Sequence, residues 1–335
     1  MEYICRVVPA AASEAETVTD LGSELSRQVG QVVPHDGYLL AGLDPVTGAG
    51  CFLSVEHGYS ADTRRRLDIE DGLGRGKRPF RGPGSVVVCG SDAPDRRMRR
   101  LHNIMAADGF GSEMCIALNH GGVPWAALVL LREQGRTPFS ATDVGHAEQL
   151  ASPLGLAVKR FVADKPLRPA RGELPPGVVI VGQDDQIKAA TATGRAMLRT
   201  LLPDRGPVAD DELFGYIWNI TYTARRASTA ALARVPTPQG WIAMHAQLLD
   251  QTAVGDVAVT LQPAAGATLL PAVSAWYGIS GREQAVIAHA LTGLPAKQIA
   301  RRLDLSPHTI NDHFKAIYRK TGVTSREELL ASLSG

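Results

Sequence analysis

Apolar residues in this chain recur with two different periods, and the switch between them marks out its elements. Residues 16–33 carry them at helical spacing, while YLLAGL (38–43) and CFLSV (51–55) read as strands around an Asp44-Pro45 turn. EMCIAL (113–118) and PWAALVLL (124–131) are joined by Asn119-His120-Gly121-Gly122, residues that tolerate a positive φ, which predicts a hairpin. Ser140, with Asp143 three residues on, opens a long helix whose apolar stripe runs through Val144, Ala147, Leu150, Ala151, Leu154 and Val158 to Phe161. Helix, antiparallel sheet, then helix predicts an α+β domain over residues 1–165.

Pro166, Pro169, Gly172, Pro175 and Pro176 interrupt the pattern and predict a linker over 166–176. A second α+β domain follows over 177–262. It begins with a strand, an acidic turn at Asp184-Asp185, a short strand and a helix, and it closes with two strands in GWIAMHAQLL and DVAVTLQP. The acidic turn invites comparison with a phosphoacceptor receiver, which would need a late lysine. Lys188 is the only lysine between 177 and 262 and sits directly after the acids, so phosphorelay is rejected. A weaker break predicts a linker over 263–269. No internal repeat is visible.

From 270 to 335 the signals become dense and mutually consistent. Ser280 and Glu283 form a capping box that starts one helix, which Gly293 stops. Pro295 is read in the first turn of a second helix, with Ile299, Ala300 and Leu303 inward. After a turn at Asp304-Leu305, Ser306 caps a long third helix with Pro307 in its first turn, ending before Gly322. Thr324 and Glu327 are read as the capping box of a last helix. The third helix carries Ile310, Phe314 and Ile317 on one side and His308, Asn311, Lys315 and Arg319 on the other. Two short helices, a tight turn and a longer third helix predict an all-α helix-turn-helix of four helices.

Composition narrows the chemistry. Net charge is +1 over 335 residues, but residues 270–335 hold eight Lys/Arg against five Asp/Glu, a local excess that suits a nucleic-acid partner. Cys5, Cys51, Cys89 and Cys115 form no C-x-x-C and read as reduced thiols in a cytoplasmic protein. No secretory leader or long apolar span is read, so no membrane partner is expected. DGLGRGK (71–77) misses the phosphate-loop pattern at Asp71 and Arg78. No pattern calls for a catalytic residue, a metal or a cofactor.

Residues 278–333, GISGREQAVIAHALTGLPAKQIARRLDLSPHTINDHFKAIYRKTGVTSREELLASL, resemble the C-terminal DNA-binding domain of LuxR-family transcriptional regulators. The matches include Arg282-Glu283, Gly293, Ile299-Ala300, Leu305-Ser306, Thr309, His313, Lys320 and Gly322-Val323. The resemblance implies double-stranded DNA as partner, with Asn311, Asp312 and Lys315 towards base edges and Thr309 and Lys320 on phosphates. Lys297 and the helix N-terminus at Ser306 are further candidates, and His308 and Arg319 add charge. Many members carry lysine where this chain has Asn311. Asparagine can pair with adenine and the Asp312 carboxylate can accept from cytosine N4, so a different operator is implied. The family dimerises through its last helix, which makes Leu329, Leu330 and Leu333 candidates for a homodimer contact.

The first domain resembles a GAF domain in its order of elements, and the second resembles a PAS domain, although Thr191 and Asp185 stand where that pattern has asparagine and glycine. A GAF-like sensor leaves room for a small-molecule ligand, with Phe110, Met114 and Trp125 as candidates for lining its pocket and core packing as their other role. The reading is a dimeric, sequence-specific regulator controlled by its sensor domains. Two alternatives stay open: a thiol-based reductase using Cys51, Cys89 or Cys115, and a regulator that answers only to a protein partner.

Overall fold

The computed structural model describes residues 13–72, 86–90, 96–170, 175–201, 210–227, 230–250 and 255–334. The glycine-rich 73–77 and Cys5 lie outside them.

The first unit opens with α1 (Val18–Gly30), capped by reciprocal hydrogen bonds between Thr17 and Asp20. β1 (Gly37–Leu43) and β2 (Gly50–Glu56) follow, then α2 (Ala61–Gly72), β3 (Val86–Gly90) and α3 (Arg96–Ala106). β4 (Phe110–His120) and β5 (Val123–Glu133) form the hairpin, with Gly121 at φ 62° and Gly122 at φ 78°, as the Asn-His-Gly-Gly stretch predicts. α4 (Ala141–Ala163) is capped by the Ser140–Asp143 box. The five strands lie in the order β2-β1-β5-β4-β3, all antiparallel. Leu21, Leu25, Leu150, Leu154 and Val158 from α1 and α4 fill one core with Met114, Ile116 and Leu128 of the sheet. Tyr59, Cys89, Leu101, Met105, Phe110 and Leu131 form a separate cluster with α3.

The central unit contains β6 (Gly177–Val181), β7 (Ile187–Ala190), α5 (Ala192–Thr200), α6 (Asp210–Ala227), β8 (Ala231–Thr237), β9 (Gly240–Leu248) and β10 (Val257–Pro263). Its sheet runs β7-β6-β10-β9-β8. Counted within each unit, both sheets therefore have the order second, first, fifth, fourth, third. One topology is used twice, with no repeat in the sequence. Asp185 takes φ 60°, the conformation glycine would supply, and its buried carboxylate is held by the Arg225 guanidinium. The Thr191 hydroxyl accepts from the backbone N–H of Val178 and of Gly194, so it ties β6 to the start of α5.

Five helices close the chain: α7 (Gly266–Tyr277), α8 (Gly281–Leu291), α9 (Ala296–Leu303), α10 (Pro307–Thr321) and α11 (Arg326–Ser334). α7 begins inside the stretch read as the second linker. Its Leu269, Ala272, Val273 and Trp276 are buried, and Trp276 lies against Trp125 of β5 with ring centroids 4.6 Å apart. A single apolar core runs from Leu21 through Val179 and Trp241 to Leu333, so the units share an interior. No described helix is long and apolar enough to cross a membrane.

The first and central units are also joined by a buried ion pair. Asp44, fully buried in the β1–β2 turn, takes the backbone N–H and the guanidinium of Arg234 on β8, each at 3.0 Å. The same carboxylate accepts from the N–H of Val46 and Thr47, as an Asx turn does. Thr47 donates to the Leu232 carbonyl at 2.7 Å, and Gly50 N–H donates to Asn219 Oδ1 at 2.7 Å.

Candidate nucleic-acid interface

The C-terminal unit is assembled by caps. Ser280 and Glu283 start α8 with both reciprocal hydrogen bonds in place. Pro295 stands one position earlier than read from the sequence, as the N-cap of α9, where its missing N–H is equally harmless. α9 ends at Asp304 in the left-handed conformation (φ 53°), and Leu305 N–H donates back to the Ala300 carbonyl at 2.9 Å. That reversal sets the turn between α9 and α10. The Ser306 hydroxyl accepts from Thr309 N–H at 3.0 Å, and Pro307 takes the first helical position. The cap of α11 is one residue later than read: Glu328 N–H donates to Ser325 Oγ, and the Glu328 carboxylate accepts from Thr324. Ser325-x-x-Glu328 is itself a capping-box spacing, and it competes with Thr324-x-x-Glu327.

α10 divides cleanly into two faces. Ile310, Phe314 and Ile317 are buried, whereas Ser306, His308, Asn311, Asp312, Lys315 and Arg319 are exposed with the whole chain present. The sheet units leave this face open. Lys297, also exposed, lies in the first turn of α9, and Arg301 follows it one turn later on the same face. Sequence reading counted Arg301 and Arg302 as charge and assigned them no role. The signal for Arg301 was its i, i+4 spacing from Lys297.

The charges on the open face are arranged as pairs. Lys315 Nζ donates to Asp312 at 3.1 Å, and His308 Nε2 lies 3.7 Å from the same carboxylate. The Lys315 hydrogen bond, reinforced by His308 and His313, holds Asp312 below the usual carboxylate range. Both partners are largely in solvent, so separating them to meet a groove requires little energy.

Two of the candidates have other partners. Lys320, read as a phosphate contact, is half-buried and donates to the buried Glu283 carboxylate at 2.6 Å. It ties the end of α10 to the start of α8. Thr309 is half-buried, with its hydroxyl 2.9 Å from Ser306 Oγ. Leu329 and Leu333, read as dimer contacts, are fully buried in the chain's own core, because α11 closes the unit against α7 and α8. Leu330 is half-buried.

Burial pushes the Glu283 carboxyl up, but the Lys320 ammonium and the Ser280 backbone and hydroxyl outweigh it and hold the group below its ordinary 4.5. A carboxyl depressed in the folded state stabilises fully above its unfolded value, and the contribution is lost as pH falls through the lowered one. Thermal unfolding followed from about pH 6 to about pH 3 should thus show a loss beginning near pH 4.5 that Glu283→Gln flattens. Parallel profiles for the two proteins would contradict the assignment.

The proposed pocket residues do not converge. A β-bulge between Phe110 and Ser112 puts Phe110 in the cluster beneath α3, whereas Met114 and Trp125 pack in the main core. Without the bulge, Phe110 and Met114 would share a face. Cys51 and Cys89 are buried, Cys115 is half-buried, and all three are thiols. Burial, with the neighbouring Asp44 carboxylate, pushes the Cys51 thiol well up, the opposite of what a nucleophile needs.

Residues 278–333 match the family described as bacterial regulatory proteins, luxR family. The match covers α8 to α11 and contains every exposed residue of the α10 face. No curated protein matches the chain. Among solved structures, Escherichia coli SdiA is similar at 13% identity, over 98% of this chain and 94% of its own, with a TM-score of 0.34. The Vibrio cholerae VqmA dimer, solved in the absence of target DNA, is similar at 14% identity over 48% of this chain and 82% of its own, with a TM-score of 0.22. The chromophore-binding domain of Stigmatella aurantiaca bacteriophytochrome is similar at 13% identity over 45% of this chain, with a TM-score of 0.29. This chain covers 57% of that fragment, less than two thirds of its length.

Proposed function

We propose that this protein is a cytoplasmic, sequence-specific regulator of transcription that binds double-stranded DNA as a homodimer through α10, with the GAF-like and PAS-like units as its sensor. The observation that carries the reading is the open polar face of α10 within the luxR-family match. Asn311, Asp312 and Lys315 supply, at one helical face, an amide suited to adenine, an acceptor suited to cytosine N4 and a cation suited to guanine or phosphate. Lys297, Arg301 and the α10 N-terminus at Ser306 contact phosphates on the flanks. Lys320 acts inside the unit through Glu283. On α11 the stripe left for a second copy is Glu327, Leu330, Ala331 and Ser334, with Leu330 as its one large apolar side chain.

Selection of bound duplexes from a random pool by the full-length protein tests this. Enrichment of a two-fold site is expected, with half-sites about one helical turn, roughly 34 Å, apart. Asn311→Ala should cost about 1–3 kcal/mol and relax preference at one base position. Lys315→Ala should weaken binding and, if it contacts phosphate, lower the salt slope by about one. Absence of any enriched sequence, or unchanged selection by both variants, would refute the reading.

A further inference from the structure

The first unit, the central unit and α7 meet around a cavity of about 920 Å³, near the upper end of the range usual for small-molecule sites. Each contributes aromatic wall: Phe52 and Phe161 from the first unit, edge to face at 6.2 Å, Trp241 from β9 and Tyr277 from the end of α7. All four are buried. Three cations, Lys165, Arg168 and Arg199, line the same space, against one acid, Glu16. We infer that this junction is a binding site for a small ring-bearing organic acid, its rings among the four aromatic side chains and its anionic group towards Lys165, Arg168 and Arg199.

The cations are placed for this. Arg168 and Arg199 are exposed, and among the described residues no carboxylate pairs with either of them. Lys165 lies with its ammonium over the Phe161 ring, 3.6 Å from its centroid, and that ammonium donates to the Glu16 carbonyl at 3.0 Å. Burial draws its ammonium down to about 8 against the smaller opposing influence of Asp20 and Glu16, so an arriving anion would relieve a partly desolvated charge. The walls also lead to α10. Tyr277 OH donates to the Lys165 carbonyl at 3.0 Å, and two residues further on Leu167 N–H donates to the carbonyl of Thr321, the last residue of α10. An occupant would touch Tyr277 and Lys165, at the near end of that connection.

The test is a pair of probes with the same rings, 8-anilinonaphthalene-1-sulfonate and the neutral N-phenyl-1-naphthylamine, titrated by fluorescence into full-length protein without DNA. One saturable sulfonate site per chain is expected, about tenfold tighter than the neutral probe, the scale of one charge-assisted hydrogen bond. The double variant Arg168→Gln/Arg199→Gln, altered only at exposed side chains, should abolish that preference and leave the neutral probe unchanged. Gln239→Trp, at the exposed turn that lines the cavity, should weaken both probes. No saturable site, equal affinity for the two probes, or binding unchanged in both variants would overturn the assignment. Only the effect of an occupant on α10 rests on the regulator reading, and since no DNA is present, failure of that reading would leave the probe result untouched.

Discussion

Asp44→Ala is expected to destabilise the protein by about 3–5 kcal/mol, the cost of leaving a buried charge without its partner. Arg234 would be that charge: its side chain is 5% exposed, and among the described residues its Nε has no hydrogen-bond partner even with Asp44 present. The substitution also strips the acceptor from Val46 and Thr47 N–H, so the turn loosens along with the contact between units. Denaturant unfolding measures the loss as a lower midpoint. Asp44→Asn with Arg234→Met should recover most of it, since the amide oxygen keeps the turn and no charge is left buried. A loss below about 1 kcal/mol for Asp44→Ala would mean that water reaches the guanidinium and that the pair is an ordinary surface bridge.

Leu167→Ala should follow, at about 2–5 kcal/mol, the range for truncating a buried leucine. Leu167 is 1% exposed although it lies among the prolines that follow α4. Its N–H donates to the Thr321 carbonyl at 2.8 Å, and Ser332 on α11 donates to its carbonyl at 3.5 Å. The adjacent Pro166 packs on Gly322, which holds φ 71° and whose added Cβ would lie 3.0 Å from the proline ring. The segment therefore clips the first unit to the C-terminal end of α10 and to α11. Amide exchange should show the loss concentrated in α10 and α11, with α1 and the first sheet unchanged. A loss spread evenly over all units, or none, would show that Leu167 is not the clip.

Much of this was legible because it is local. The boxes at Ser140 and Ser280, the Ser306-Pro307 start of α10 and the β4–β5 turn depend on residues three or four apart, and the unfolded chain already contains those distances. The two faces of α10 follow from helical geometry in the same way. β8 was not legible because Pro236 stands within it, which an edge strand tolerates and a sequence pattern does not suggest. The twofold use of one strand order left no trace either, since many sequences satisfy one topology.

The sequence by itself therefore determined most of the caps, the strongly periodic elements and the two faces of α10. Tertiary structure alone decided which of those side chains remain available. It drew Lys320 to Glu283, 37 residues earlier, and Arg234 to Asp44 across 190 residues. It buried Leu329 and Leu333, turned Phe110 away from Met114 through one bulge, and brought Phe52, Phe161, Trp241 and Tyr277 around a common cavity. The physical reason is the same in each case. A cap or a helical face is set by short-range backbone geometry, whereas burial and charge pairing depend on what the completed core places opposite a residue.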